Sequence, residues 1–466
     1  MKLITLFLTF FLSLALNAQN ILFNKTYDFG AFDSAMGMTP TQDGNYLIGI
    51  SSNRLLKINP LGDSLWLKAL QNQSIFSITE QNDGAILVTG SVVDSTFYSV
   101  SLMKISASGD SLWSAKYGTK SGITAKIGLA AMGNIFILGY SDAVVSDSTG
   151  VNARMMKIDS SGNLLIEQLY DFNRQNDAFL NMHILSDESV ICVGLSNNNG
   201  LLAYLDANSD TVYTQLYPNF SRIDDIIPTS DGNYVVVGAS NTTPFTQGLI
   251  AKITPNGVLL WEKWHSRNNI NYDFKRITPI FTDLFLVGGN ETDNSNPTSN
   301  GATFMVLDVN GDSLWSEKYN FIAGTSIDEM RSALVTPNQG FIFCGSSRIS
   351  SQRDLWVVRV DSLDCNNFNN GCQTVDISKN NLIRFQSTIY PNPASNWLTI
   401  HLKDIKPGNI NIEVFDLAGK RMITQTKILT SNLFDINVSS LTNGIYILKL
   451  TFADGSSDVF KVSVNR

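Results

Sequence analysis

The chain has 466 residues, room for two or three domains. Apolar residues make up 43% and charged residues 16%, so a sizeable core can form; the net charge of −8, with no Lys/Arg cluster, argues against a nucleic-acid partner. Asn, Ser, Thr, Gly and Asp fill the gaps between apolar runs, a composition of strands and turns.

Residues 1–18 read as a signal peptide. Lys2 is the charged leader, Leu3–Leu16 is an apolar stretch too short for a membrane span, and small Ala18 stands at the cut, so the mature chain is expected to begin at Gln19. No Cys lies near that cut, which argues against a lipid anchor. No later apolar run reaches the ~18 residues of a transmembrane helix, so a soluble mature protein is expected.

Beyond residue 19 the sequence repeats itself. The segment GDSLW occurs at Gly62–Trp66, Gly109–Trp113 and Gly311–Trp315. The same position continues through Gly62, Gly109, Gly162, Ser209, Gly257 and Gly311 at intervals of 47, 53, 47, 48 and 54 residues. A second element, a turn followed by an apolar run and Gly, precedes each and occurs seven times, from DGNYLIGIS at Asp43 to QGFIFCGSS at Gln339. Each unit parses into four short strands: in the second, SIFSITEQ, a tight Asp83-Gly84 turn, AILVTGS, YSVSLMKIS, and SLWSAKYG after the turn ASGD. Four strands in about 40–50 residues describe a propeller blade. The seventh unit lacks its last strand, and Phe23–Tyr27 (FNKTY) matches Trp113–Tyr117 (WSAKY) in type. Residues 19–364 are therefore predicted to form a seven-bladed β-propeller closed by the N-terminal strand. Trp66, Trp113, Trp261 and Trp315 are expected to dock between blades, with Tyr213 and Ile166 in their place in two units.

The pattern DGNYLIxGxS…LxKIxxxGDxLWxxxY resembles the propeller repeats of secreted Bacteroidota proteins, and is similar to the tryptophan-docking motif of quinoprotein-type propellers. The resemblance implies fold and not chemistry, because one scaffold hosts many activities. Quinoprotein propellers resemble eight-bladed rings with a vicinal disulfide, and this sequence shows neither, nor a C-x-x-C-H haem site.

Residues 365–386 are Asn-rich and polar and read as a linker. Within it Cys365 and Cys372 bracket CNNFNNGC, where a local disulfide is expected in an exported chain; a metal pair lacks a second pair to complete it. Cys192 and Cys344 sit in apolar strands and read as buried thiols. Residues 387–466 form an alternating tail, six or seven antiparallel strands expected to make a small Ig-like β-sandwich. Pro391 and Pro393 exclude helix and hold the tail's opening stretch extended. The tail resembles the type A C-terminal sorting domain of the type IX secretion system. The resemblance rests on Tyr390-Pro391-Asn392-Pro393-Ala394-Ser395-Asn396, Val414-Phe415-Asp416 with Gly419-Lys420, Leu441 with Gly444-Ile445-Tyr446, and Lys461-Val462. It implies export through the periplasm and outer membrane, with the type IX machinery as partner, then cleavage near the linker and release or attachment at the cell surface.

No catalytic set is legible. The histidines, His183, His265 and His401, have no metal-ligand spacing, and no nucleophile elbow or phosphate loop occurs. Acids recur at the entrance to the innermost strand: Asp33, Asp177, Asp224, Asp225, Asp273, Asp328 and Glu329. They ring one mouth of the predicted channel and serve either a cation or polar sugar, or a capping role at a turn, the latter favoured by their recurrence. The longest departures from the repeat, Tyr140–Arg154 and Gly288–Phe304, join second to third strands and emerge on one face. The expected function is a non-catalytic binding or adhesion module without cofactor or metal, whose ligand is a surface glycan or another extracellular molecule; the alternative is a secreted polysaccharide-acting, glycoside-hydrolase-like enzyme.

Overall fold

The computed structural model describes residues 21–361 and 388–465, apart from 31, 71–73, 95–96, 119–121, 142–149, 173–175, 241–242, 297–299, 323–325, 338–339, 349–351, 403–407, 417–420, 430 and 453–456. The expected signal peptide, the Cys365–Cys372 loop, the expected linker and the Gly419-Lys420 pair thus lie outside the described residues. The chain divides into two compact units, Met1–Gly371 and Cys372–Arg466.

The first unit holds seven four-stranded antiparallel sheets and no helix among its described residues. The second sheet runs Ser74–Glu80, Ile86–Asp94, Phe97–Ile105 and Ser111–Tyr117, matching the four strands expected of the second repeat. The first strands of successive sheets pack pairwise, and the series returns from Ile327–Val335 to Ala35–Pro40, so the sheets surround an axis as propeller blades. Second and third strands are buried on both faces between neighbours, as in Val190–Ser196 and Gly200–Ala203, which is why they read as unbroken apolar runs rather than alternating ones. Ile21–Tyr27 pairs antiparallel with Asp354–Val360 and completes the last sheet. The last and first sheets share one core, in which Phe23, Ile342 and Val357 meet Ala35, Ile48 and Leu56.

The repeated GDSLW is a latch between blades. Its glycine has positive φ at Gly62, Gly109, Gly162, Gly257 and Gly311. The aromatic ring of the preceding blade lies against the face where a Cβ would stand: Trp66 at 3.3 Å from that position on Gly109, Trp113 at 3.2 Å on Gly162, Trp261 at 2.5 Å on Gly311, and Phe23 at 3.0 Å on Gly62. The tyrosine four residues after the ring position donates to the same turn's carbonyl: Tyr27 to Gly62 at 2.6 Å, Tyr117 to Gly162 at 2.7 Å, Tyr170 to Ser209 at 2.7 Å and Tyr217 to Gly257 at 2.6 Å. Burial pushes the Tyr27 and Tyr117 phenols up to about 12, so they stay protonated donors at ordinary pH. Where a lysine follows the ring by two residues it reaches the turn's aspartate, as in Lys25–Asp63 and Lys68–Asp110 at 3.1 Å and Lys263–Asp312 at 2.5 Å. Trp315 lies edge-on to Phe341, ring centroids 6.3 Å apart; the seventh blade takes its outer strand from the N-terminal segment and so has no turn between its third and outer strands.

Two glycine substitutions separate backbone strain from docking. Gly84 has φ 78° with nothing within 4 Å of an added Cβ, whereas Gly311 has φ 75° and Trp261 at 2.5 Å. Gly84→Ala is expected to cost about 1 kcal/mol. Gly311→Ala is expected to lose a further ~1–3 kcal/mol through overpacking. Urea midpoints of the two variants read the difference, and equal losses would show that the ring does not bear on the turn.

In the second unit, Thr388–Tyr390, Trp397–His401 and Leu433–Asn437 form one sheet, and Gly408–Asp416, Arg421–Leu429, Gly444–Phe452 and Ser457–Val464 another. Leu398, Ile400 and Ile436 from the first close on Ile412, Leu448, Leu450 and Val462 from the second. Seven strands in two sheets around one core agree with the expected sandwich. The Pro-rich opening departs from expectation. Residues 391–393 bend rather than run extended, and both prolyl bonds, Tyr390-Pro391 and Asn392-Pro393, are cis.

Candidate functional site

Antiparallel order places the outer-to-inner connections and the second-to-third-strand connections on one face of the propeller, and the Asp-Gly and Gly-Asp turns on the other. All the recurrent acids belong to the first face, and they divide into three groups. Asp33, Asp177 and Asp328 are at most 1% exposed. Each accepts a backbone N–H from an aromatic residue of its own loop: Phe29 at 2.9 Å, Phe172 at 2.8 Å and Phe321 at 2.8 Å. Ser52 and Ser326 hydroxyls add bonds to Asp33 and Asp328 at 2.5 and 2.6 Å. This is the capping geometry. The loops share a Tyr-x-Phe…Asp pattern (Tyr27-x-Phe29, Tyr170-x-Phe172, Tyr319-x-Phe321) that joins the latch tyrosine to the cap.

The second group is ion-paired, in part across blades. Asp224 accepts Arg222 Nε at 2.7 Å and Lys275 Nζ at 3.4 Å; Asp273 holds Lys275 Nζ at 2.8 Å and takes Arg222 Nη2 as well. Burial works against the Arg222 charge, and Asp224 and Asp273 more than offset it, raising its pKa. Glu329 binds Arg353 at 2.8 Å and Arg331 at 3.6 Å. Between these pairs opens a cavity of about 400 Å³, lined by Arg222, Asn271, Asp273, Lys275, Asn290 and Glu329, among others, from the fifth, sixth and seventh blades. The sixth blade builds its wall. Its first two strands, Ile270–Phe281 and Leu284–Asp293, run 12 and 10 residues. Glu291 still pairs with Gly301, so most of the segment Gly288–Phe304, read from sequence as a loop, is a raised strand pair. In Tyr140–Arg154, residues 142–149 lie outside the described residues.

Asp225 stands apart, deeper along the axis. Every first strand carries a bulge, and the residues after it are Gly37, Ser77 and Ser332, which are small, and Lys126, Asn181, Asp225 and Arg276, which are not. Asp225 accepts Asn181 Nδ2 at 2.5 Å and the N–H groups of Ile226 and Ile277 at 2.9 and 3.0 Å. Burial raises its pKa, against the pull of Arg276 and Lys126. Lys126, Asn181 and Arg276 are hidden in the sequence because the bulge breaks the two-residue period by which strand positions are aligned.

The remaining candidates are structural in placement. Cys192 and Cys344 are buried free thiols, and burial pushes both pKa values up. His183 lies edge-on to Tyr234, its pKa depressed by burial. Among the described residues no three His, Cys, Asp or Glu side chains are grouped to hold a metal ion. Both oxygen pairs at the mouth, on Asp224 and Asp273, are committed to cations, whereas glycoside hydrolysis calls for a carboxyl free to give a proton and a second carboxylate about 5–9.5 Å away.

The tail's motif residues come together. Asn392 Oδ1 accepts Ser463 N–H at 2.8 Å, Ala394 N–H donates to Ser463 O at 2.8 Å, and Asn465 N–H donates to Ala394 O at 2.9 Å, clamping the Pro-Asn-Pro-Ala bend to the last strand. Tyr446 pairs with Val462 and Gly444 with Val464 in that strand's register, and the Tyr446 hydroxyl donates to Thr442 O at 2.9 Å. Pro391 and Pro393 belong to the bend, exposed Tyr390 ends the strand before it, and Lys461 pairs with Ile447.

A repeat-built β-propeller followed by a separate β tail defines the class. Residues 388–465 match the family described as the secretion system C-terminal sorting domain. This tail marks the protein for type IX secretion to the cell surface or extracellular space. No helix among the described residues is long and apolar enough to cross a membrane. No curated protein matches the chain significantly. Among solved structures the chain is similar to the Dos1 propeller, at 12% identity over 72% of this chain and 80% of that one, TM-score 0.47. It is also similar to the extracellular domain of a hybrid two-component system of B. thetaiotaomicron, at 12% identity over 95% of this chain and 57% of that one, TM-score 0.47. BamB from Moraxella catarrhalis shares 12% identity over 70% of this chain and 85% of that one, TM-score 0.40. The propeller architecture rests on the strand pairing itself.

Proposed function

We propose that the protein is an exported, non-catalytic binding module that loses residues 1–18 on export and recognises a polar glycan at the mouth cavity of its fifth to seventh blades. The carrying observation is that cavity: about 400 Å³, concave, and lined by charged and amide side chains from three blades. Its wall is a strand pair that outgrows the repeat, 12 and 10 residues long, and extensions of a scaffold are where recognition is usually built. The ion pairs hold the lining side chains in place, so a ligand meets fixed donors and acceptors.

A glycan array on the mature protein, paired with a reducing-sugar release assay, tests this reading. The double substitution Asp273→Asn with Lys275→Met removes one charge of each sign and leaves Arg222–Asp224 intact. It should weaken glycan binding at least ~10-fold, the loss of about 1.4 kcal/mol, with a melting temperature within a few degrees of the parent. Unchanged binding would remove the site from the mouth, and sugar release by the pure protein would establish the enzyme instead.

A further inference from the structure

We propose that the waist of the channel is an oxyanion site, in which Lys126 and Arg276 hold the carboxylate or phosphate group of a ligand. The two residues occupy equivalent places, one after the bulge in the first strands of the third and sixth blades. Neither has a carboxylate within ion-pair distance among the described residues. Lys126 makes no hydrogen bond there, and Arg276 gives one N–H to Lys275 O at 2.9 Å. This contrasts with the mouth, where Arg222, Lys275, Arg331 and Arg353 each have an acid within 4 Å.

Asp225 is the acid that both cations sense, yet it is not their partner. Its oxygens are taken by Asn181, Ile226 and Ile277. The waist therefore carries two cations against one fixed anion, inside a chain of net charge −8. An unpaired ammonium partly withdrawn from water is disfavoured until something negative joins it. Lys126 bears the sign of that: burial first, then Arg276, brings its pKa down to about 8 although Asp225 pulls the other way. Gly37, Ser77 and Ser332 hold the equivalent places in the first, second and seventh blades, where no long side chain stands, and Lys126 and Arg276 are half-buried. A planar guanidinium and a mobile ammonium together suit an oxyanion, the first by paired N–H groups and the second as a point charge.

The waist cations are not among the residues that line the mouth cavity, so the two sites are tested separately. Calorimetric titration of the mature protein at pH 7 with sodium phosphate, galacturonate and galactose reads the waist. Saturable binding of phosphate or galacturonate is expected, with none of galactose. Phosphate alone identifies a free inorganic ligand, and tighter galacturonate identifies an acidic sugar. Lys126→Met and Arg276→Met should each weaken binding at least ~10-fold, the loss of a charge-assisted hydrogen bond, and Lys126→Arg should retain it. In the unmutated protein, reductive ¹³C-methylation of lysines gives a second readout, with phosphate expected to raise the Lys126 pKa. Absence of saturable anion binding, wild-type affinity in Lys126→Met, or a Lys126 resonance blind to phosphate would each overturn the site.

Discussion

Deleting residues 19–27 is expected to lower the melting temperature of the propeller by at least about 10 °C, several kcal/mol for a domain of this size. The segment closes a sheet and a latch at once. Phe23 is buried against Ala35, Ile48, Ile342 and Val357, and burying such a ring is worth ~3–5 kcal/mol. Asn24 accepts the Trp356 indole N–H at 2.7 Å and donates to Asn320 O at 3.2 Å, tying the strand to the last blade and to the loop before it. Lys25 reaches Asp63 and Leu61 O, and Tyr27 reaches Gly62 O, on the first blade. Without the segment, the Asp354–Val360 strand becomes a bare edge whose Leu355, Trp356, Val357 and Val358 are now fully buried, and such edges invite aggregation. Differential scanning calorimetry of the deleted and parent proteins reads the effect. A shift of only a degree or two would mean that the other sheets hold the ring without this strand.

Most of this architecture is legible in the repeat. A period near 49 residues, Asp-Gly turns and a missing last strand carry the blade, its strand order and the role of Phe23–Tyr27. Two things are hidden. The latch works through the absence of a Cβ on the next blade's glycine, and only its spatial partner, Trp66 on Gly109 or Phe23 on Gly62, explains why glycine recurs there. The Leu of GDSLW is the opposite case: Leu65 and Leu112 are 49% and 56% exposed, so a recurrent apolar residue need not be a core residue. The outermost strand is covered on one side only, and its alternation sends Trp inward and Leu outward.

The acids show where sequence reading runs out. A recurrent position names a place in the blade, not its partner. Asp33, Asp177 and Asp328 meet backbone N–H groups, whereas Asp224 and Asp273 meet Arg222 and Lys275, cations drawn from their own and adjacent strands. Nothing in the one-dimensional pattern separates the two. Asp225, one residue from Asp224, belongs to the waist because the bulge turns consecutive residues to different surroundings. The same bulge conceals Lys126 and Arg276. The cavity wall reads as a loop in one dimension because Asn, Thr, Asp and Pro mark turns in most sequences.

Deleting residues 386–466 is expected to abolish appearance of the protein in the medium or on the cell surface while leaving the propeller folded in the periplasm. Among the described residues the tail has a core of its own, from Ala394 to Val464, and the propeller clusters are built from propeller residues. The melting temperature of the truncated propeller should stay within about 2 °C of the parent, less than 1 kcal/mol for a domain of this size. Residues 388–465 carry the sorting match, and their organising contact is the clamp of Asn392 and Ala394 on Ser463 and Asn465. Asn392→Ala removes one of its three hydrogen bonds, the one to the Ser463 N–H, and should weaken the tail by ~0.5–1.5 kcal/mol. Fractionation followed by immunoblotting compares the parent, the truncation and Asn392→Ala. The truncation should be wholly periplasmic, and the point variant should show partial periplasmic retention with an unchanged propeller transition. Export of the truncated chain at the parent's level would show that the address lies within the propeller, and a truncated chain that is degraded or unfolded would show that the tail stabilises it.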